Sequence, residues 1–165
     1  MIEPFTGNVW PFEPFPYMPE QRHWLDTLKA DPPVYKQGTD FLAKFSFKSW
    51  HYCCLGVGCD LAGDREIEQT EFDDGETTDD GGMVITIEFD GERQSAPRRL
   101  VERLGLRGDN GQHRAYFEPG WSMNSGPYML TYMNDRGDTF AQIAAAIEAD
   151  PTGYFTNLDV FEEED

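Results

Sequence analysis

The stretch Tyr52-Cys53-Cys54-Leu55-Gly56-Val57-Gly58-Cys59-Asp60-Leu61 decides the fold of this 165-residue chain. Four of its apolar or small residues recur at the spacing of one helix face, namely Tyr52, Leu55, Gly56 and Cys59. Cys54 and Leu61 add a second apolar line beside them. The pattern predicts a buried helix over 52–62 that ends at Gly63. Its two internal glycines allow neighbouring backbone to approach closely.

The sequence before this stretch predicts one helix and one strand. Residues 20–30 have apolar side chains at helical spacing, and the prolines that follow end the helix. Residues 41–48 alternate between apolar or small residues and polar ones over most of their length. This alternation favours a strand with Phe45 and Phe47 directed inward.

The sequence after the stretch predicts a strand and two further helices. Residues 83–89 form the clearest strand pattern in the chain and end at an Asp-Gly turn. Ser95 is predicted to cap a short helix that ends at Gly105. Thr139 and Gln142 have the spacing of a capping box, which predicts the start of the last helix.

These elements together predict an α+β fold, in which three to four short helices pack on a small antiparallel sheet containing 41–48 and 83–89. We expect one globular domain over residues 20–158 and an acidic tail over 159–165. Residues 1–19 carry five prolines interleaved with five aromatic side chains, which predicts an extended arm over the domain or over a partner.

Acidic side chains dominate the charge of the chain. The sequence has 31 acidic and 13 basic residues, for a net charge of −18. Residues 64–82 contain nine acids and one base, a net charge of −8, and are predicted to form an acidic loop or insertion. These nine acids are our candidate residues for binding a partner protein: Asp64, Glu66, Glu68, Glu71, Asp73, Asp74, Glu76, Asp79 and Asp80.

Such a negative field repels free nucleic acids and anionic membranes and attracts basic protein surfaces. We therefore expect a protein with a basic surface as partner, with no direct nucleic-acid binding and no membrane binding. A highly solvated surface without any recognition role is the alternative. The chain lacks an apolar stretch of membrane-spanning length, and its first residues lack the features of a signal peptide, so the cytoplasm is the expected location.

Basic residues are scarce, and six of the thirteen lie between residues 93 and 114. Arginine binds phosphate well and aromatic side chains stack on bases, so a nucleotide ligand is the second hypothesis. Its candidate residues are Arg98, Arg99, Arg103, Arg107, Trp121 and Tyr128. The alternative is that these arginines neutralise the protein's own acids, above all those of residues 64–82.

Three cysteines lie within seven positions, an odd and crowded set that does not suit a disulfide framework. Core packing by small, soft side chains is the favoured interpretation. A zinc site with His51 and a catalytic thiol are weaker alternatives, because no CxxC pair is present and an apolar helix raises a thiol's pKa. We predict no metal, no cofactor and no catalytic residue.

Three separated motifs resemble a known family. They are Tyr35-Lys36-Gln37-Gly38, the cysteine-containing stretch 52–61, and Asn134-Asp135 followed by the pattern of residues 140–148. Their order is similar to that of an uncharacterised family of small phage-encoded proteins, with a YKQG turn, a CCLGVLCDL helix, an LND turn and a closing FxxIAxxIE helix. The resemblance covers most of residues 20–150.

The resemblance implies a phage origin but supplies no catalytic residue, since no activity is established for this family. The arm and the acidic insertion lie outside the shared motifs. We therefore expect a phage accessory protein that acts by binding, as an acidic inhibitor of a host defence or nucleic-acid-handling protein. In this hypothesis the carboxylates of the inhibitor imitate the phosphates of DNA. A nucleotide-signal sponge and a virion assembly component, docking through residues 1–19, are the alternatives.

Overall fold

The computed structural model describes residues 15–120, 122 and 127–159. Within these residues the chain forms four strands, six helices and one 3-10 turn, over Arg114–Phe117. The strands are β1 (Ala43–Ser46), β2 (Ser49–Tyr52), β3 (Gln69–Thr77) and β4 (Met83–Phe89). The helices are α1 (Pro19–Lys29), α2 (Cys54–Ala62), α3 (Arg98–Leu104), α4 (Leu130–Asp135), α5 (Phe140–Ala149) and α6 (Pro151–Tyr154).

The four strands form one antiparallel sheet in the order β2-β1-β4-β3. Four helices have seven residues or more, so the predicted α+β fold is confirmed. Strand β3 lies at one edge, and a bulge between Asp73 and Thr77 interrupts its pairing with β4. Gly75 lies within this bulge at φ +76°, a backbone conformation that glycine adopts at low cost.

Helix α2 is the buried centre of the molecule, as its apolar pattern predicts. Cys54, Leu55, Val57 and Cys59 are all fully buried. Trp24 of α1 packs beside the helix, and its indole Nε1 donates a hydrogen bond of 2.9 Å to the Cys54 carbonyl. A Cβ atom at Gly56 would lie 1.7 Å from the Leu42 carbonyl oxygen, so the chain before β1 touches the helix backbone directly.

Two predicted helix starts are wrong, each for a local reason. Tyr52 belongs to β2, and α2 begins two residues later because the Cys53 sulfur accepts a hydrogen bond from the Gly56 amide and caps the helix. Helix α3 begins after Pro97, and the Ser95 hydroxyl donates to Glu92 rather than capping it. The end of α3 at Gly105 and the capping box of α5 are confirmed.

Residues 64–82 are predicted to be a loop or insertion, and the loop is wrong for residues 69–77, which form the nine-residue strand β3. The strand consists mostly of polar and charged residues, so composition alone indicates a loop. Its formation rests on pairing with β4, whose apolar residues Val84, Ile87 and Phe89 are buried.

The beginning and the end of the described chain lie side by side. Phe15 is buried, and its ring centroid lies 6.2 Å from that of Phe155. Gln21, fully buried in α1, exchanges two side-chain hydrogen bonds of 2.7 and 2.8 Å with Asn157. The remainder of the predicted arm, residues 1–14, and residues 160–165 of the predicted tail lie outside the described residues.

A buried amide joins the separated sequence motifs. Asn134, at the end of α4, is fully buried. Its Oδ1 accepts hydrogen bonds from the Cys54 amide and from the Gln37 side chain, both at 3.1 Å. Its Nδ2 donates to the Gly38 carbonyl at 2.8 Å. The motif residues therefore form a structural junction around α2.

Candidate functional site

The acidic edge strand β3 is the most distinctive surface of the described protein. It carries the four carboxylates of Glu71, Asp73, Asp74 and Glu76 and no basic residue. Glu71 and Asp73 are opposite Ile87 and Ile85 of β4 and share one face of the sheet with them. The outer edge of β3 has no strand partner within the described residues.

Several of the nine predicted partner-binding acids are used inside the protein. Glu66 pairs with Arg103 at 3.2 Å, and Asp74 lies 3.9 Å from Arg93. Asp64 accepts a hydrogen bond from the Gln69 amide, and Asp80 accepts hydrogen bonds from Thr78 and from the Gly82 amide in the turn before β4. Asp73 accepts a hydrogen bond from the Gly75 amide.

The other four acids are exposed and make no ion pair or side-chain hydrogen bond within the part of the chain that the structure describes: Glu68, Glu71, Glu76 and Asp79. With Asp73, which bonds only to backbone, they form a line along β3 and its two ends. We call this line the acidic edge.

The acidic edge carries negative charge at a spacing comparable to that of a nucleic-acid strand. Glu71 and Glu76 are five residues apart, which is up to about 17 Å along a strand. Three carboxylates of the acidic edge lie within that length, those of Glu71, Asp73 and Glu76. A DNA strand carries one phosphate per about 3.4 Å of axis, or roughly five over the same distance. The edge therefore has more than half the linear charge density of one nucleic-acid strand.

Beside the acidic edge, the sheet carries an apolar row. The pairing registers place Trp50, Phe45, Ile85 and Asp73 directly opposite one another across the four strands. The three apolar residues of this row are only partly buried, and the rings of Phe45 and Trp50 lie 5.3 Å apart.

Two more exposed apolar residues lie at the same end of the sheet. Met83, two residues before Ile85 on β4, is 52% exposed, and Phe47, in the turn between β1 and β2, is 60% exposed. The prediction that Phe47 is directed inward is wrong, because the strand ends at Ser46 and the alternation does not continue through the turn. We name the following set the sheet-end patch: Phe45, Phe47, Trp50, Met83 and Ile85.

The arginines of the nucleotide hypothesis have partners within the protein. Arg99 donates to the Glu66 carbonyl at 2.9 Å and lies 3.4 Å from Asp90, and Arg98 pairs with Glu102 on its own helix. The pairing of Arg103 with Glu66 matches the alternative in which arginines neutralise the acids of residues 64–82.

Two of the three remaining residues of that hypothesis, Arg107 and Tyr128, also have partners within the protein. Arg107 donates to the carbonyls of Gly153, Thr152 and Phe155, at 3.1, 2.7 and 3.0 Å, and pairs with Asp159 at 2.9 Å, so it ties α6 to the chain after α3. The Tyr128 ring lies under the Arg136 guanidinium at 4.5 Å. Trp121 lies outside the described residues.

The three cysteines lie in the interior of the fold. All three thiols are free and buried. Burial raises the pKa of Cys53 to about 11 and raises the pKa values of Cys54 and Cys59 well above their usual range. The described residues contain no group of three or more His, Cys, Asp or Glu side chains that could hold a metal ion. The thiols pack the centre of the fold.

A cleft of about 1030 Å³ lies between the end of α1, residues 33–37 and the start of α5. Its walls are largely apolar, and its two lysines already have partners. Lys29 pairs with Glu148 at 3.0 Å, and Lys36 donates to the Ser49 hydroxyl at 2.9 Å. The cleft therefore offers less specific chemistry than the acidic edge.

Comparison with known protein families, with curated proteins and with solved structures gives no match. None of the helices in the described residues is long and apolar enough to cross a membrane. Among the surfaces of the described residues, the acidic edge has the most specific chemistry.

Proposed function

We propose that this protein is a phage accessory protein that acts by binding in the host cytoplasm. Its acidic edge covers a basic surface of a host defence or nucleic-acid-handling protein and so inhibits that protein. The observation that carries the proposal is strand β3, which holds four carboxylates at a sheet edge whose outer side has no strand partner within the described residues.

Electrostatics supports this choice of partner. A surface that binds nucleic acid is rich in lysine and arginine, and it attracts any rigid line of negative charge with similar spacing. Strand β3 holds its carboxylates on a hydrogen-bonded backbone, so less conformational entropy is lost on binding than for a flexible acidic loop. The wider field of a chain with net charge −18 adds fast, salt-sensitive attraction.

The two alternatives have less structural support. Arg99, Arg103 and Arg107 are already engaged with acids or carbonyls of the protein, so binding a nucleotide there requires breaking those contacts. The assembly hypothesis depends on the arm, most of which lies outside the described residues.

A pull-down from host lysate tests the proposal, at about 50 mM and about 500 mM salt, with duplex DNA added as competitor. The test variant carries Glu71→Gln, Asp73→Asn and Glu76→Gln. The matched control carries Asp31→Asn, Asp109→Asn and Glu118→Gln, three exposed acids elsewhere, so its net charge is the same.

We expect the wild type and the control to retain a basic host protein at low salt, and DNA or high salt to release it. The β3 variant is expected to retain at least about tenfold less, because each lost pair to a desolvated base weakens binding. The proposal fails if no partner is retained at low salt, or if both variants bind equally well.

A further inference from the structure

The turn between β1 and β2 contains residue types that its backbone conformation disfavours. Ser46 pairs with Ser49, so the turn has two residues, Phe47 at φ +49° and Lys48 at φ +64°. Positive φ at both central positions is the geometry of a type I′ turn, which strongly favours Asn-Gly and disfavours bulky side chains. Phe47 therefore occupies a strained position without the compensation of burial, since its side chain is 60% exposed.

An exposed, strained aromatic residue at a turn indicates a role outside the fold. Phe47 is not isolated, because the sheet-end patch places Met83 and the row Trp50, Phe45 and Ile85 at the same end of the sheet. Aromatic residues and methionine are the side chains enriched at the centres of protein interfaces.

The patch and the acidic edge are parts of one continuous surface. Asp73 lies opposite Ile85 on the same sheet face, and Glu71 follows two residues away on that face. Three strand spacings separate Trp50 from Asp73, which is about 14 Å. An apolar centre with a charged border at this distance has the arrangement of a protein interface.

We propose that the sheet-end patch is the apolar centre of the interface whose border is the acidic edge. Its occupant is a protein segment with one or two large apolar side chains flanked by lysine or arginine. The charges beside the patch select this occupant. Asp73 lies two strand spacings from Phe45, so a lysine or arginine of the partner, roughly 10 Å from an apolar side chain bound at Phe45, can pair with Asp73. The inference rests on the proposed function, because it describes the same partner.

Two synthetic peptides of equal charge test the inference on the full chain. One is Lys-Lys-Phe-Lys-Lys-Phe-Lys-Lys, and the other has serine in place of both phenylalanines. Affinity is measured by titration, and methyl NMR follows Ile85 and Met83, with the buried Ile143 and Ile147 as internal references. We expect the phenylalanine peptide to bind at least about tenfold more tightly and to shift the two patch methyls selectively.

The test variant carries Phe47→Asn and Met83→Thr, and the control carries Val34→Thr and Phe117→Asn, which are 67% and 59% exposed elsewhere. In the test variant we expect the advantage of the phenylalanine peptide to fall below about threefold, with the serine peptide unaffected. The Phe47→Asn change alone is expected to raise Tm, because asparagine suits the turn. The Tm of the double test variant is measured as well, and a loss of binding without a lower Tm cannot arise from unfolding.

The outcomes separate the two proposals. Equal affinity of the two peptides for the wild type, or an equal loss in the control variant, overturns the role of the patch. If the serine peptide still loses affinity when the β3 carboxylates are neutralised, the acidic edge keeps its role. If its affinity does not depend on them, the proposed function is contradicted instead. If neither peptide binds, both the role of the patch and the proposed function are contradicted.

Discussion

At the scale of single residues, the buried side chain of Asn134 connects three separate segments of the chain by hydrogen bonds. Its amide satisfies a buried backbone donor at the start of α2 and a backbone acceptor in the chain before β1. Gln37 joins the same network and also donates to the Asp138 carbonyl at 2.6 Å. Buried networks of this kind are costly when one member is lost, because the remaining groups cannot reach water.

Replacing Asn134 by alanine is expected to lower the free energy of unfolding by about 2 to 3 kcal/mol, since the Cys54 amide and the Gly38 carbonyl lose their buried partner. Urea denaturation measures the change. Asn110→Ala is the matched control, because that side chain is partly exposed and forms no hydrogen bond within the described residues, and it should stay within about 0.5 kcal/mol. Equal stability of the two variants contradicts the role of the junction.

At the scale of elements, local signals in the sequence predict some structures and miss others. The capping box at Thr139 and the stop at Gly105 need only a few neighbouring residues, and both are confirmed. Strand β3 depends on a distant partner, and its carboxylates favour a loop, so composition misses it. Strand β2 has only four residues and gives no usable period.

The candidate site was likewise only partly predictable. The acids of the edge are evident in the sequence, but which of them are free depends on the positions of Arg93 and Arg103 in the fold. The sheet-end patch combines residues from β1, β2 and β4 through their registers, so no single segment reveals it. An aromatic residue between two short strands, as at Phe47, was the available signal.

Two glycines in α2 give a matched test of how closely this helix packs against its neighbours. Gly56→Ala is expected to lower the free energy of unfolding by about 3 kcal/mol or more, because its Cβ meets the Leu42 backbone, which cannot yield cheaply. Gly58→Ala meets only the side-chain ends of Leu100 and Leu104 at 3.2 Å. Its better helix propensity offsets this contact, so its stability should remain within about 1 kcal/mol of the wild type.

Chemical denaturation of both variants measures the difference. The wild-type protein is the reference, and the two substitutions add the same methyl group to the same helix. If Gly58→Ala proves as destabilising as Gly56→Ala, the close approach of the Leu42 backbone is not the deciding contact.

At the scale of the whole molecule, the net charge of −18 acts on stability and on binding in opposite ways. Within the protein the excess acids repel one another, and this repulsion destabilises the compact state. Toward a basic partner the same charge is attractive. Salt screens both effects, with a Debye length of about 10 Å at 0.1 M and about 3 Å at 1 M.

We expect Tm to rise by several degrees between about 20 mM and about 500 mM sodium chloride, while partner affinity falls over the same range. Surface ion pairs weaken with salt as well, but each contributes only about 0 to 1 kcal/mol, so the screening of repulsion dominates. Calorimetry measures Tm, and the Glu71→Gln, Asp73→Asn and Glu76→Gln variant should show a smaller rise. A Tm that falls with salt contradicts this account.

The pairing of Gln21 with Asn157, and of Phe15 with Phe155, has a consequence for synthesis on the ribosome. Helix α1 is synthesised more than 120 residues before Phe155 and Asn157, yet its buried Gln21 amide and its Trp24 ring contact those two residues. A nascent chain therefore exposes this apolar surface until Phe155 and Asn157 have left the ribosome. Premature termination before residue 150 is expected to yield no folded fragment, only a substrate for cellular chaperones and proteases.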